Sequence, residues 1–239
     1  MSVLTLRLAS PLQSWGASSR FTRRTTESAP TKSGILGLLA AAQGRRRSDS
    51  IEDLLTLTLA VRVDQPGVVL RDFHTAHHQV TGAAMPLTNR FYWSDAVFVA
   101  FVGGPEPVLA GLHDALRDPR YPLYFGRRSC VPEGRVSLGV DDLEVHEALE
   151  ACPWQAGVSG KRRHLRESTV RLAVRADQGV LRGVPPSHEF ADVPVSWNPE
   201  LRRYRTRMVV DSYVVIPTGS ETAAPSGLRH DPMATLGGL

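Results

Sequence analysis

With 239 residues, 42% of them hydrophobic, the chain can fill the core of one large domain or two small ones. No run approaches the roughly 20 apolar residues of a membrane span, and Ser2 to Pro11 is too short and too strand-like for a signal peptide, so a cytoplasmic location without membrane contact is expected. The two cysteines, Cys130 and Cys152, supply neither a disulfide framework nor the paired ligands of a structural zinc site, which leaves two buried free thiols and no expected metal or cofactor.

The net charge is a modest +4, but it is unevenly spread. Residues 1–50 carry eight cations, Arg7, Arg20, Arg23, Arg24, Lys32, Arg45, Arg46 and Arg47, against Glu27 and Asp49. Lysine occurs only at positions 32 and 161, so nearly all positive charge is arginine, the side chain that pairs bidentately with phosphate and stacks on bases. Genomic base composition explains an arginine-to-lysine ratio as readily, but not the clustering.

In chain order, Val3 to Ala9 alternates Leu4, Leu6 and Leu8 with other residues at the period of a half-buried strand. After a long arginine-bearing loop, Lys32 to Gln43 reads as a helix with Ile35, Leu36, Leu38 and Leu39 on its buried face and Gly44 as its stop. Arg45 to Arg47 then suit either capping and solubility or an anionic partner. Leu57 to Asp64 and Val68 to Phe73 read as strands joined by the turn Gln65-Pro66-Gly67, and Ala96 to Val102 is an apolar run of strand length. Between them His74 to Ser94 has little periodicity and reads as a projecting hairpin or loop. Val108 to Arg117 is a second helix with Leu109, Leu112 and Leu116 on one face, followed by a strand near Arg135 to Val140. This order suggests an α+β fold whose body is the ferredoxin-like βαββαβ unit shared by RNA-recognition (RRM-like) folds.

Beyond it come a short helix at Asp142 to Cys152, the basic run Lys161-Arg162-Arg163-His164 with Arg166, and strands at Val170 to Arg175 and Arg202 to Ile216. The expected organisation is a body over 1–141 with a thumb at about 74–94, a β-rich C-terminal lobe over 142–217, and a disordered tail over 218–239.

Pro30-Thr31-Lys32-Ser33-Gly34 delivers a turn to the start of the first helix, where free N–H groups, the helix dipole and a cation favour a phosphate. It lacks the glycine spacing of a Walker loop, which argues against nucleotide hydrolysis. It can equally be a plain helix start, with Thr31 or Ser33 as cap and Gly34 allowing close packing. Tyr121 to Cys130 combines aromatics, Gly126 and the pair Arg127-Arg128, suited to stacking a base beside a phosphate or to a buried aromatic loop with exposed arginines. Arg71-Asp72-Phe73-His74-Thr75 places an acid among basic groups, with His77 and His78 following. A ribonuclease needing no metal would draw its acid and base from His74, His77, His78, Tyr92 and Tyr124, but no diagnostic constellation forms. There is no Gly-x-Ser-x-Gly nucleophile elbow.

Taken together and in order, Leu8-Ala9-Ser10-Pro11-Leu12-Gln13-Ser14-Trp15-Gly16, Pro30 to Gly34 with Gly37-Leu38-Leu39, Arg71 to Thr75, and Tyr124 to Cys130 resemble the CasD family, the type I-E CRISPR Cascade subunit that holds the 5′ handle of the guide RNA. The resemblance covers about the first 150 residues. It implies a ferredoxin-like body whose thumb leans on a neighbouring backbone subunit and contacts the large subunit, and so meets target DNA only through the complex. It implies an RNA path lined by Trp15, Arg20, Arg23, Arg24, Thr31, Lys32, Ser33, Gly34, His74, Arg127 and Arg128, with Arg90 and Tyr92 on the thumb. Type I-C relatives cut precursor guide RNA with tyrosine, lysine and histidine. This chain has no adjacent Lys-His pair, so the expectation is crRNA binding without catalysis. The alternatives are a metal-independent endoribonuclease that matures precursor crRNA and a general single-strand RNA binder.

Overall fold

The computed structural model describes residues 1–16, 23–198 and 203–219. In chain order these form β1 (Ser2–Ala9), β2 (Leu12–Gln13), β3 (Arg23–Arg24), α1 (Lys32–Ala42), a 3-10 turn at Glu52–Thr56, β4 (Thr58–Gln65), β5 (Val68–His74), β6 (Thr88–Ser94), β7 (Val97–Gly104) and α2 (Glu106–Arg117). They continue with β8 (Ser137–Asp141), α3 (Val145–Ala151), α4 (Val158–Arg163), β9 (Thr169–Asp177), β10 (His188–Pro194) and β11 (Tyr204–Pro217). Arg20, the start of the expected strand at Arg202, and all of the expected tail beyond 219 lie outside the described residues.

The larger sheet has seven strands in the order β10-β11-β9-β4-β7-β1-β8, with every neighbouring pair antiparallel. One face carries Leu4, Leu6 and Leu8 of β1 with Phe98, Ala100 and Val102 of β7, and packs on Ile35 and Leu39 of α1 and Leu109, Leu112 and Leu116 of α2. The other face presents Val3, Val99 and Phe101 to Val145, Ala148 and Leu149 of α3. Cover on both sides explains why β7 is an unbroken apolar run. It also corrects the expectation for β1, which is buried on both faces rather than half-buried, because α3 closes the side that alternation alone assigned to solvent.

The two strands expected in a C-terminal lobe, β9 and β11, prolong this same sheet outward from β4, and β10, which the sequence reading does not include, forms its edge. Arg62 ties α3 to β4. Its side chain is fully buried, donating Nε and Nη2 to the two Asp64 carboxylate oxygens at 2.7 and 2.9 Å and Nη1 to the carbonyls of Leu149 and Cys152. Those carbonyls, left unpaired by the helix end, would otherwise be buried without donors. Burial pushes the Asp64 carboxyl up, and the Arg62 guanidinium pulls against it.

A second, smaller sheet is built around β6. Its one edge pairs with β5 antiparallel from Val68↔Ser94 to His74↔Thr88. Its other edge pairs with β2 antiparallel and with β3 in parallel. The turn Gln65-Pro66-Gly67 therefore moves the chain from one sheet to the other instead of closing a hairpin between β4 and β5. Gly67 is required there, since a Cβ would overlap the Ser94 carbonyl oxygen. The hairpin expected at about 74–94 exists, but its ladder begins at Val68, and its tip carries an isolated bridge between His77 and Ala84.

Candidate nucleic-acid interface

At the start of α1 the local reading holds and the functional one changes. Thr31 is the N-cap, its Oγ1 accepting from Gly34 N at 3.1 Å and sharing a hydrogen bond with Ser33 Oγ. The anion that the helix start favours comes from within the chain. Lys32 N donates to Asp192 Oδ2 at 2.6 Å, and Lys32 Nζ pairs with Asp177 Oδ2 at 2.8 Å. Arg207 closes the cluster, its Nε and Nη2 donating to Asp192 at 2.6 and 2.9 Å and its Nη1 to Asp177. Burial pulls the Arg207 pKa down, but Asp192 and Asp177 more than reverse this, so the net shift is upward. Lys32 is 7% exposed and Thr31 1%, so neither lines a surface path. This corrects the expectation of an external phosphate at this turn.

Trp15 is likewise inside. It is 1% exposed, stacks on the fully buried Phe125 at 5.8 Å between centroids, donates Nε1 to Gln13 Oε1, and lies against Gly34, where a Cβ would press on the indole. Gly34 thus serves close packing. Gly126 has φ +83°, and a Cβ there would overlap the Ser14 carbonyl oxygen, so the turn carrying Arg127 and Arg128 is held against the Trp15 strand. The buried aromatic loop, one of the two readings open for Tyr121 to Cys130, describes Phe125. Cys130 is also buried, and desolvation pushes its thiol up.

Arg127 is a brace. Its guanidinium lies over the Tyr92 ring at 4.4 Å and donates to the carbonyls of Phe91 and Arg24 at 3.0 Å each, locking β6 and β3 onto the body. Tyr92, expected on the thumb surface, is 4% exposed and packs in the main core. Arg128 is exposed.

The other exposed residues of the expected path among those described, Arg23, Arg24 and His74, lie on the second sheet. Register and alternation put Arg23, Asn89, Phe91, Arg71 and Phe73 on one face. Arg23 sits over the Phe91 ring at 5.4 Å, and Arg71 Nε donates to Asn89 Oδ1 at 3.0 Å. Phe73 is 65% exposed beside them. On the opposite face Arg24, Arg90, Asp72 and His74 follow one another across the strands, with His74 Nε2 3.4 Å from Asp72 Oδ2. Among the described residues Arg90 Nε is buried without a hydrogen-bond partner. Of these residues, Asn89 and Phe91 are not singled out by the sequence, and Arg71 and Phe73 stand in a noted motif without a place on the expected RNA path. The signal available is the alternation of Arg71-x-Phe73 and Asn89-x-Phe91 in two runs that pair.

The histidines of the tip are engaged locally. His77 Nδ1 bonds the Gly82 carbonyl, and His78 Nδ1 accepts from Val80 N and Thr81 N. No group of three or more His, Cys, Asp and Glu able to hold a metal occurs among the described residues. No helix among them is long and apolar enough to cross a membrane.

The overall fold recurs in solved structures. Over 90% of its length the chain superposes on 91% of a chain from a CRISPR RNA-guided surveillance complex, with TM-score 0.73 and 34% identity. Over 88% it superposes on 94% of a chain described as a Cas protein, with TM-score 0.69 and again 34% identity. The CRISPR system Cascade subunit CasD of Escherichia coli (strain K12) is 38% identical over 149 residues, 54% of this chain, and the match spans 66% of that relative's length. The family described as CRISPR-associated protein (Cas_Cas5) matches residues 3–210, and the chain belongs to it.

Proposed function

We propose that the chain is the crRNA-binding subunit of a type I-E Cascade surveillance complex, acting in the cytoplasm in antiviral defence. There it grips the 5′ handle of the guide and caps the filament of backbone subunits, and it does so without cutting RNA. The observation that carries this reading is the outer face of the hairpin sheet, where exposed Arg23 and Arg71 flank the Phe91 ring and Phe73 stands free. Guanidinium groups beside open aromatic faces are the chemistry for holding a single strand, with phosphates on arginine and bases on rings. The order β8-β1-β7-β4 with α1 and α2 on one face supports a ferredoxin-like body. Its opposite face is not an open RRM platform, since α3 covers it, so binding falls to the second sheet. The projecting hairpin suits contact with the neighbouring backbone subunit and the large subunit, and through them with target DNA.

Replacing Arg23 and Arg24 with alanine is expected to weaken handle binding by at least about tenfold, since hydrogen bonds to charged groups contribute roughly 1.5–3 kcal/mol. The slope of log affinity against log salt should fall by about 0.7 for each phosphate that is no longer neutralised. Fluorescence anisotropy at several salt concentrations measures both, and an unchanged affinity and slope would refute the reading. A scrambled strand bound as well as the handle would instead indicate a general RNA binder.

Binding without cleavage is supported by the engagement of His77 and His78 in turn hydrogen bonds. The purified chain, incubated in EDTA with labelled precursor repeat, should leave the repeat intact. Specific cleavage abolished by His74→Ala would assign it to the endoribonucleases.

A further inference from the structure

Between β4 and β9 the large sheet comes apart. The two strands pair only over Ala60 to Arg62 with Val174 to Ala176. Beyond that point Val63 to Pro66 on one side and Val170 to Ala173 on the other line a cleft of about 300 Å³. Trp154, Arg163 and His164 from the α4 side and Tyr213 from β11 complete its lining. The His164 ring meets Trp154 edge-on at 5.4 Å, and the Arg171 guanidinium lies over the exposed Tyr213 ring at 4.0 Å.

We propose that this cleft holds one nucleotide unit of a single-stranded nucleic acid, its base against the Arg171–Tyr213 stack and its phosphate on Arg163. The site is separate from the hairpin face and does not rest on the handle-binding reading. Three features favour it. The volume is at the small end of ligand sites, fit for one flat heterocycle. From Thr169 to Ala173, β9 has no strand on the cleft side, so part of its backbone edge is available to base-edge donors and acceptors. Finally, the exposed charge beside the cleft is predominantly basic.

Lys161, Arg162, Arg163 and Arg166 are exposed and have no acidic partner among the described residues. Of the acids nearby, Asp64 and Asp211 are paired with Arg62 and Arg175, while Glu167 is hydrogen-bonded to His164 and Asp95 to Ser159. An acidic peptide would satisfy the cations but would leave the guanidinium–phenol stack and the apolar cleft unused. A strand of nucleotides uses all three.

The cleft also adjoins the root of the hairpin. Gly157 N donates to Gln65 Oε1 at 3.0 Å, and Gln65 Nε2 donates to the Asp95 carbonyl at 2.6 Å. The residues ahead of β5 thus support the segment leading into α4.

The test uses the full chain with short fluorescent oligouridylate and oligothymidylate strands, each carrying a photoreactive thiopyrimidine. Cross-links should map to peptides within 154–173 or 204–217. The pair Arg171→Ala/Tyr213→Ala should abolish them and weaken binding by about tenfold. Arg163→Glu, on an exposed helix position, should do the same without a change in thermal unfolding, which covers the case in which the double variant fails to fold. Cross-linking of both strands identifies the shared phosphate-and-base chemistry, and cross-linking of the ribose strand alone assigns the site to RNA. Absence of cross-links in these peptides with either strand, or binding unchanged by Arg163→Glu, overturns the proposal. Displacement of the strands from the cleft by an acidic peptide alone of equal affinity does so as well. If Arg23→Ala/Arg24→Ala leaves the cleft cross-links intact while reducing handle affinity, the two sites are confirmed as independent. If it leaves handle affinity unchanged and the cleft variants reduce strand binding, only the hairpin reading fails.

Discussion

Asp192→Ala is expected to lower the unfolding free energy by about 3–5 kcal/mol, the range for removing one partner of a buried ionic cluster. Asp192 is wholly buried and accepts from Lys32 N, Arg207 Nε and Arg207 Nη2. Its loss leaves the first turn of α1 with a buried N–H lacking an acceptor. It also leaves Lys32 and Arg207 to share the single carboxylate of Asp177. Desolvating two cations against one anion is the costly arrangement, because the compensating attraction is lost while the burial remains. Urea denaturation followed by circular dichroism measures the change. Asp192→Asn, which keeps the shape and an acceptor oxygen, should cost less than alanine. Equal stability of wild type and alanine variant would show that the cluster adds nothing net.

Trp15→Ala is the second large effect, again about 3–5 kcal/mol, from an aromatic removed from a filled core. The indole contacts Phe125 and the backbone at Gly34, and its Nε1 occupies Gln13 Oε1. Gln13 in turn donates to the carbonyls of Leu8 and Ala96, so the loss reaches both sheets. Trp15→Phe should recover part of the stability. At a temperature where the variant stays folded, handle affinity should match wild type, because the ring is not at the surface. Reduced affinity with stability preserved would return Trp15 to the RNA path.

These two residues also mark the limit of what a sequence discloses. The helix at 32–42, its Thr31 cap and its Gly44 stop are local matters, and the apolar spacing of α2 and β7 is as plain. The fate of Lys32 is not local, because its partners stand 145 and 160 residues away and nothing near Pro30 announces them. A cation at a helix start reads the same whether its anion is a ligand or an aspartate of the same chain. The resemblance puts Trp15 on the RNA path, yet its environment is set by Phe125, far from it in sequence. The strands β2 and β3 are two residues long, below any periodicity, and they decide where Arg23 lies. The run 170–175 is legible as a strand, whereas its parting from β4, which makes the cleft, depends on register between distant segments.

The ionic cluster has a consequence for the order in which the polypeptide acquires its shape. The hairpin of β5 and β6 brings together residues close in sequence and can close as soon as it leaves the ribosome. The α1 helix cannot finish at that moment. Its N-terminal turn and Leu59 N find their acceptors in Asp192 and Asp177, and both acids are balanced by Arg207. During synthesis both strands of the hairpin are therefore present before the acids that complete the first turn of α1. A nascent chain halted before residue 177 would hold Lys32 without either aspartate, and the first third of the protein would wait for the last third to neutralise it.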